Sequence, residues 1–180
     1  MTGEPTVLIV EDQEELAEAY STVIATEYSV RTATSGTEAL EKIDEAVDVV
    51  ILDRRMPGMS GDDVLAAFEK RGVNARVAML TAVEPAEDIL EMAIDTYVTK
   101  PIDNTDLLEL VDTLFARADY DEPVQEFFSL AAKQTALEEA DTQTAHAVEE
   151  IRTELDQLRS EIDSTLEEIP DELDPRTNRG

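Results

Sequence analysis

Five polar residues in this chain follow short apolar runs, and their types could together hold a metal ion and a phosphoryl group. They are Glu11, Asp12, Asp53, Thr81 and Lys100. Three clustered carboxylates would repel one another strongly unless a cation joined them, and an all-oxygen cluster with room for water suits Mg²⁺. The Lys100 amine and the Thr81 hydroxyl would supply a positive charge and a donor for phosphoryl oxygens. With Asp53 as the nucleophile, the product would be an aspartyl phosphate.

Asp53 follows directly on an unbroken apolar run, Val-Val-Ile-Leu, and Pro57-Gly58 closes the segment with a turn. A run without polar alternation is typical of a parallel strand that is covered on both faces. In open α/β sheets, ligands bind outside the carboxyl ends of the strands, so Asp53 is a candidate site residue. The alternative interpretation is an Asp that only caps a loop.

Five such strand patterns alternate with helical patterns over the first 118 residues. The strands are predicted at residues 6–10, 28–33, 48–52, 76–80 and 96–99. Between the last two, Pro85 is predicted to open a helix that continues through Met92. This alternation predicts an α/β, flavodoxin-like domain whose five-stranded parallel sheet has the order 2-1-3-4-5. In that order the three carboxylates meet in one crevice, with Thr81 and Lys100 on the same rim.

The composition of the sequence changes after residue 118, and an all-helical extension is predicted to follow. Residues 124–137 form an amphipathic pattern, and a second helix carries apolar residues at spacings of three and four. That seam consists of Val148, Ile151, Leu155, Leu158, Ile162, Thr165 and Ile169. It allows two interpretations, a helical hairpin that folds back on itself or on the first domain, or a dimerising coiled coil.

Three segments follow from these patterns. Pro170 is predicted to end the second helix, and the polar residues after it are predicted to be disordered. The boundaries are 1–118 for the α/β domain, 119–169 for the helical segment and 170–180 for the tail.

The charge of the chain excludes several classes of function. It contains 43 acidic and 14 basic residues, for a formal net charge of −29, which should repel nucleic acid and anionic lipid. Residues 119–180 contain 18 acidic and 5 basic residues, so a basic DNA-recognition helix is not expected there. The acidity and the scarcity of Lys favour a protein from a high-salt cytoplasm over a merely acidic mesophile protein.

The sequence also lacks features that are typical of secreted and membrane proteins. The chain contains no Cys, which excludes disulfides and thiolate metal sites. No apolar run is long enough to span a membrane, and the first residues do not form a signal peptide pattern. We therefore expect a cytoplasmic protein without membrane contact.

The order and spacing of the motifs resemble those of the receiver domain of two-component response regulators, over about residues 5–118. The shared pattern is an acidic pair after the first strand, Leu-Asp-Arg-Arg-Met-Pro-Gly-Met-Ser-Gly after the third, Thr-Ala after the fourth and Tyr-x-x-Lys-Pro after the fifth. The later stretch Glu-Phe-Phe-Ser-Leu-Ala-Ala-Lys-Gln-Thr-Ala-Leu-Glu is similar to the HalX domain that follows receivers in haloarchaea. The receiver resemblance implies a phosphoacceptor signalling protein rather than an enzyme, with self-catalysed phosphoryl transfer and hydrolysis only.

The resemblance also implies roles for individual residues at the metal site. Asp12, Asp53 and the backbone carbonyl of Arg55 would bind Mg²⁺ directly, and Glu11 would act through water. Arg55 is a departure from the usual pattern, because it places a large cation two positions after the phosphoacceptor. It could alter the access of hydrolytic water.

A second set of roles concerns the phosphoryl group and the switch. Lys100 would pair with the phosphoryl group, Thr81 would hydrogen-bond to it, and Tyr97 would turn inward as Thr81 moves. A cis peptide bond is expected between Lys100 and Pro101. Residues 93–96 lack the Gly-x-Asp-Asp often found before the switch tyrosine.

Partners follow from the same resemblance. A sensor histidine kinase would phosphorylate Asp53 and so change a surface that would contact other regulatory proteins. That surface is formed by the predicted fourth helix (85–92), the fifth strand (96–99) and the predicted fifth helix, which begins after Asp103. A homodimer through the receiver or the C-terminal helix is a further expectation. One alternative is a receiver-fold binding module that works without phosphorylation. Another is a haloacid dehalogenase-type phosphatase, which would need an Asp where Arg55 stands.

Overall fold

The structure, a computed structural model, describes residues 3–120, 122–140 and 144–167. Five strands alternate with helices, and two long helices follow. The elements are β1 (Thr6–Val10), α1 (Glu14–Ile24), β2 (Ser29–Ala33), α2 (Gly36–Lys42), β3 (Val49–Leu52), α3 (Gly61–Arg71), β4 (Arg76–Thr81), a 3-10 helix (Glu87–Glu91), β5 (Thr96–Thr99), α4 (Asn104–Arg117), α5 (Glu122–Glu139) and α6 (Ala145–Glu167).

The five strands form one parallel sheet in the order β2-β1-β3-β4-β5, which confirms the predicted fold class. Val10 pairs with Leu52, and the Asp53 amide donates to the Val10 carbonyl at 2.9 Å. Because β1 and β3 end at the same level, the residues that follow them leave the sheet side by side. The sheet therefore delivers Glu11 and Asp53 to one crevice.

Both faces of the sheet are covered, which explains why its central strands are apolar at successive positions. On one face, Val7, Ile9, Val49 and Ile51 pack in a cluster with α1 and α4. On the other face, the alternate residues pack in a larger cluster that includes α2, α3, the 3-10 helix, α5 and α6.

The helix beginnings show how the sequence fixes local structure. Ser60 and Asp63 form a capping box at the start of α3, and Asp103 accepts from the Asp106 amide at the start of α4. Gly72 ends α3 with φ +68°, a left-handed conformation that favours glycine. These capping residues lie close to the predicted boundaries of the two helices.

The helix predicted between β4 and β5 differs from expectation. Pro85 does not open it, because Ala86 has an extended backbone and the helix begins at Glu87. It is a 3-10 helix of five residues that ends at Glu91. The face that a longer helix would cover is packed by α5 and α6 instead.

The helices α5 and α6 form a hairpin that shares a core with the α/β domain. Leu130, Leu137 and Ile151 are buried in one cluster with Ile89 and Tyr97. This packing is that of the hairpin interpretation, with α6 folded onto the first domain. Dimerisation stays a prediction.

Polar contacts also join α5 to the α/β domain. Lys133, a residue that is 5% exposed, donates from its ammonium group to the backbone carbonyls of Leu90 and Met92 at 3.1 and 2.7 Å. The Ser129 hydroxyl donates to the Ile94 carbonyl at 2.5 Å. These donors satisfy carbonyl groups in the last turn of the 3-10 helix and just after it, so the hairpin completes the hydrogen bonding of that helix.

Part of the predicted helical seam and the predicted tail lie beyond residue 167. The seam residue Ile169 and the predicted tail 170–180 lie outside the described residues. Among the residues that the structure describes, no helix has the length and apolar character needed to cross a lipid bilayer.

Candidate functional site

Three carboxylates lie together where β1 and β3 end. Glu11, Asp12 and Asp53 each offer an oxygen within 4.8 Å of the others. Glu11 and Asp53 are buried, at 2% and 6% exposure, and Asp12 is half-buried. The short distances and the oxygen-only donor set fit a hard divalent cation such as Mg²⁺.

Lys100 places its amine between two of these carboxylates. Its Nζ lies 2.5 Å from Glu11 Oε2 and 3.3 Å from Asp53 Oδ2. Lys100 follows β5, and its amide donates to the Thr81 carbonyl at 2.8 Å, which ties the ends of β4 and β5 together. The predicted cis bond between Lys100 and Pro101 is confirmed.

Burial and neighbouring charges shift the pKa values of Glu11 and Lys100. Burial raises the pKa of the Glu11 carboxyl by more than its hydrogen bonds with Lys100 and the Gln13 amide lower it. For Lys100, burial alone would lower the pKa, but the hydrogen bond with Glu11 and the charge of Asp53 outweigh it and raise the pKa. Lys100 therefore remains a fixed positive charge beside Asp53.

The Thr81 and Tyr97 side chains meet at the segment that follows β4. The Thr81 hydroxyl oxygen, in a residue that is 1% exposed, accepts from the Val83 amide at 3.3 Å. The Tyr97 hydroxyl donates to the Val83 carbonyl at 2.7 Å, and burial raises its pKa. Tyr97 is thus in an inward position and is linked to Thr81 through Val83.

A cleft of about 580 Å³ opens over these residues. Its lining comes from α1, from the ends of three strands and from the segment after β4. The lining residues are Gln13, Leu16, Asp53, Arg55, Thr81, Ala82, Val83, Glu84 and Lys100. Arg55 is exposed, and its amide donates to Asp53 Oδ1 at 3.3 Å. The cleft therefore opens directly beside the Asp53 carboxylate.

The comparison of the whole chain with known families decides its class. Residues 7–112 match the response regulator receiver domain, and residues 116–176 match the HalX domain. The chain belongs to the response regulator family. The predicted receiver and HalX resemblances are both confirmed.

Individual relatives agree with this family. A Haloferax volcanii protein named as a transcriptional regulator is 41% identical over 158 residues, which are 86% of this chain and 27% of that protein. The sensory transduction protein RegX3 of Mycobacterium tuberculosis is 36% identical over 121 residues, covering 64% of this chain and 53% of RegX3. The chain thus spans between about a quarter and about half of the length of these relatives.

Solved receiver structures share the fold. The CheY-like receiver of Methanospirillum hungatei matches with a TM-score of 0.60 and 25% identity, over 64% of this chain and 96% of that one. TrrA of Thermotoga maritima, solved with Mg²⁺ and BeF, matches with a TM-score of 0.55 and 34% identity, over 61% of this chain and 98% of that one. The similarity covers the receiver part of the chain.

Gly61 is a site residue of the receiver that the sequence analysis missed. It is the first residue of α3, and its amide donates to the Arg54 carbonyl at 2.8 Å. A Cβ at this position would lie 2.3 Å from the Asp53 carbonyl oxygen. Gly61 therefore lets α3 approach the backbone that carries the Asp53 carboxylate. A glycine at a helix start, where it is a poor helix former, was the available signal.

Arg54 is a second residue of the receiver that the sequence analysis missed. Its guanidinium contacts Asp62 of α3 and Asp88 of the 3-10 helix, and it lies beside the Tyr97 hydroxyl. Burial would lower the pKa of Arg54, but the bonds with these two carboxylates outweigh it and raise the pKa. The partners lie 8 and 34 residues away, so no local sequence pattern indicates them.

Proposed function

We propose that this receiver accepts a phosphoryl group on Asp53 from the phosphohistidine of a sensor kinase. The observation that carries the proposal is the position of the Asp53 carboxylate. It lines the cleft, and it lies beside the carboxylates of Glu11 and Asp12 and the amine of Lys100. An Asp53 oxygen would attack phosphorus, forming a P–O bond as the P–N bond to histidine breaks. The electron pair of that bond returns to the imidazole ring.

The residues around Asp53 would divide the supporting tasks. Asp12 and Asp53 would hold Mg²⁺ with the backbone carbonyl of Arg55, and Glu11 would act through water. When bound, Mg²⁺ supplies charge neutralisation between the carboxylates and the phosphoryl oxygens. The three carboxylates, each with an oxygen within 4.8 Å of the others, fit that ion.

Two side chains would act on the phosphoryl oxygens. Lys100 Nζ would shift from its present carboxylate partners toward an oxygen of the phosphoryl group. Thr81 would donate its hydroxyl hydrogen to another oxygen. Hydrolysis would follow when water attacks phosphorus, which releases inorganic phosphate and restores the Asp53 carboxylate. This self-catalysed cycle is the only chemistry that we propose for the chain.

Output would run through protein contacts. Tyr97 links Thr81 to the face covered by α5, so movement of Thr81 on phosphorylation would change that face. Other regulatory proteins, or a second copy of the chain, are the proposed partners. Direct nucleic acid binding is disfavoured by the net charge of −29. We also propose residues 1–118 and 119–169 as the receiver and HalX units of a cytoplasmic protein.

Incubation with acetyl phosphate and Mg²⁺ in high salt tests the proposal. We expect a mass gain of one phosphoryl group, mapped to Asp53, which Asp53→Ala and chelation of Mg²⁺ both abolish. Asp44→Ala, at an exposed acid on the loop after α2, is the matched control and should remain competent. If the wild-type protein gains no mass, a phosphorylation-independent binding module becomes the better interpretation.

A further inference from the structure

The Arg54 side chain joins two elements beside the phosphoacceptor. Its Nε lies 3.0 Å from Asp62 Oδ1, and its Nη2 lies 3.1 Å from Asp62 Oδ2, in a two-pronged contact with α3. The same Nη2 also donates to the Asp88 carboxylate of the 3-10 helix. The Arg54 side chain is 13% exposed, but the side chains of Asp62 and Asp88 are 46% and 49% exposed, so water partly screens both contacts.

A backbone hydrogen bond holds Arg54 in place and so limits the movement of its side chain. Its carbonyl accepts from the Gly61 amide at 2.8 Å, and the residue follows directly on Asp53. A planar guanidinium that also binds Asp62 through two bonds has little remaining rotational freedom. Asp88 is therefore held at a defined distance from the strand end that carries Asp53.

Asp88 lies four residues after the part of the chain that forms one wall of the cleft. Val83 and Glu84, which follow β4, line the same cleft as Asp53. Val83 is bonded to Thr81 and to Tyr97. Farther along, the Arg54 contact with Asp88 links the first turn of the 3-10 helix to the site.

The other end of the same helix is held from the hairpin. Lys133 donates to the Leu90 and Met92 carbonyls, where the 3-10 helix ends. A five-residue 3-10 helix has few internal hydrogen bonds of its own. Its position is thus set by Arg54 on the site side and by Lys133 on the hairpin side.

We propose that Arg54 is a positioning residue for the phosphorylation of Asp53, because it holds Asp88 and thereby fixes the segment 82–92, whose residues 82–84 form a wall of the cleft. The inference rests on the proposed function and deepens it. Arg54 does not need to touch the phosphoryl group. When the wall is loosened, donor binding weakens and water reaches the aspartyl phosphate more easily.

The kinetic test compares Asp88→Asn with Glu87→Gln, its exposed neighbour on the same helix. The rate of aspartyl phosphate formation is measured over a range of acetyl phosphate concentrations, and hydrolysis is measured after the donor is removed. For Asp88→Asn we expect the half-saturating donor concentration and the hydrolysis rate to rise roughly two- to fivefold, the range of a partly exposed ion pair. Glu87→Gln should match the wild type.

The pair itself is tested by Arg54→Ala alone and combined with Asp88→Asn. If Arg54 acts through Asp88, the second substitution adds little to the first. Effects that simply multiply, or an Asp88→Asn variant with wild-type kinetics, would overturn the proposal. A purely structural role would lower stability and leave the donor dependence unchanged, which would also count against it.

Amide hydrogen exchange in the unphosphorylated protein separates this inference from the proposed function. Residues 82–92 should exchange faster in Arg54→Ala and in Asp88→Asn than in the wild type or Glu87→Gln. Unchanged exchange overturns the positioning role, whether or not Asp53 is phosphorylated. A wild-type protein that forms no aspartyl phosphate, but whose exchange responds as expected, would refute the proposed function instead.

Discussion

Replacing Gly61 with alanine tests how closely α3 is packed against the phosphoacceptor strand. By helix propensity alone, Gly61→Ala should stabilise α3 by up to about 1 kcal/mol. In the structure, however, the new Cβ would lie 2.3 Å from the Asp53 carbonyl oxygen and 2.7 Å from the Arg54 Cα, against 3.4 Å or more in ordinary contact. Both neighbours are backbone atoms, which cannot rotate away. The start of α3 or the end of β3 must therefore move by about 1 Å.

Overpacking of this kind costs about 1–3 kcal/mol, and backbone neighbours place Gly61→Ala in the upper part of that range. After the propensity gain is subtracted, we expect a net loss of about 2 kcal/mol in the free energy of unfolding. Displacement of the Asp53 carboxylate by about 1 Å should also slow aspartyl phosphate formation, by a factor of order 100. The sign is opposite to that given by helix propensity alone.

Urea unfolding and phosphorylation by acetyl phosphate, both in high salt, measure the two effects. Gly72→Ala is the control, because its Cβ would meet nothing within 4 Å and only the strain at φ +68° remains. That variant should lose about 1–2 kcal/mol of stability and still phosphorylate at the wild-type rate. A Gly61→Ala protein that is as stable as the wild type would refute the packing argument.

Three further predictions concern the hairpin and the cleft. Ile151→Ala, at a fully buried position of α6, should lower the free energy of unfolding of the whole chain by about 2–5 kcal/mol in urea, and Leu158→Ala, half-buried on the same seam, by less. Burial lowers the pKa of Lys133, so the unfolded chain binds more protons between that pKa and the ordinary lysine value of about 10.4. The contribution of Lys133 to stability should rise with pH in this window, while the raised pKa values of Tyr28, Tyr97 and Lys100 act in the opposite direction. Measured against Lys133→Met, the wild type should therefore gain stability as the pH rises. Arg55→Ala should change the lifetime of the aspartyl phosphate, measured as its hydrolysis rate, because Arg55 lines the cleft beside Asp53.

Each of these predictions has an outcome that contradicts it. Two separate unfolding transitions in Ile151→Ala, with the receiver transition unshifted, would show that the hairpin does not share the receiver core. If the wild type and Lys133→Met depend on pH in the same way, Lys133 makes no contribution to the pH dependence of stability. An unchanged hydrolysis rate in Arg55→Ala would remove the proposed effect of Arg55 on water access.

The sheet and the residues at its rim could be predicted because both depend on local patterns. The third strand was predicted at residues 48–52 and is found at Val49–Leu52, since a fully apolar run admits few other interpretations. Once the sheet order was inferred, the position of Glu11 beside Asp53 followed from the topology alone. The roles of these residues in phosphoryl transfer stay predictions.

The rest of the site depends on contacts that a single sequence does not reveal. Arg54 contacts Asp62 and Asp88, which are two of the 43 acidic residues in the chain. Only the fold determines which acidic residues lie near Arg54. Gly61 is required by a backbone contact across a loop, which leaves no periodic signal. The predicted helix after Pro85 fails for a similar reason, because tertiary packing by α5 and α6 replaces the layer that a longer helix would form.

The short 3-10 helix also explains why the C-terminal helices α5 and α6 pack onto the α/β domain. Five residues with one fully buried apolar side chain, Ile89, cannot cover the face of β4 and β5, so α5 and α6 supply Leu130, Leu137 and Ile151 to the same cluster. Tyr97 belongs to that cluster and lines a groove between β5 and α5. Packed cores rearrange between discrete arrangements rather than deform continuously. A movement of Tyr97 would therefore change the packing under α5 directly, without a flexible connection between site and hairpin.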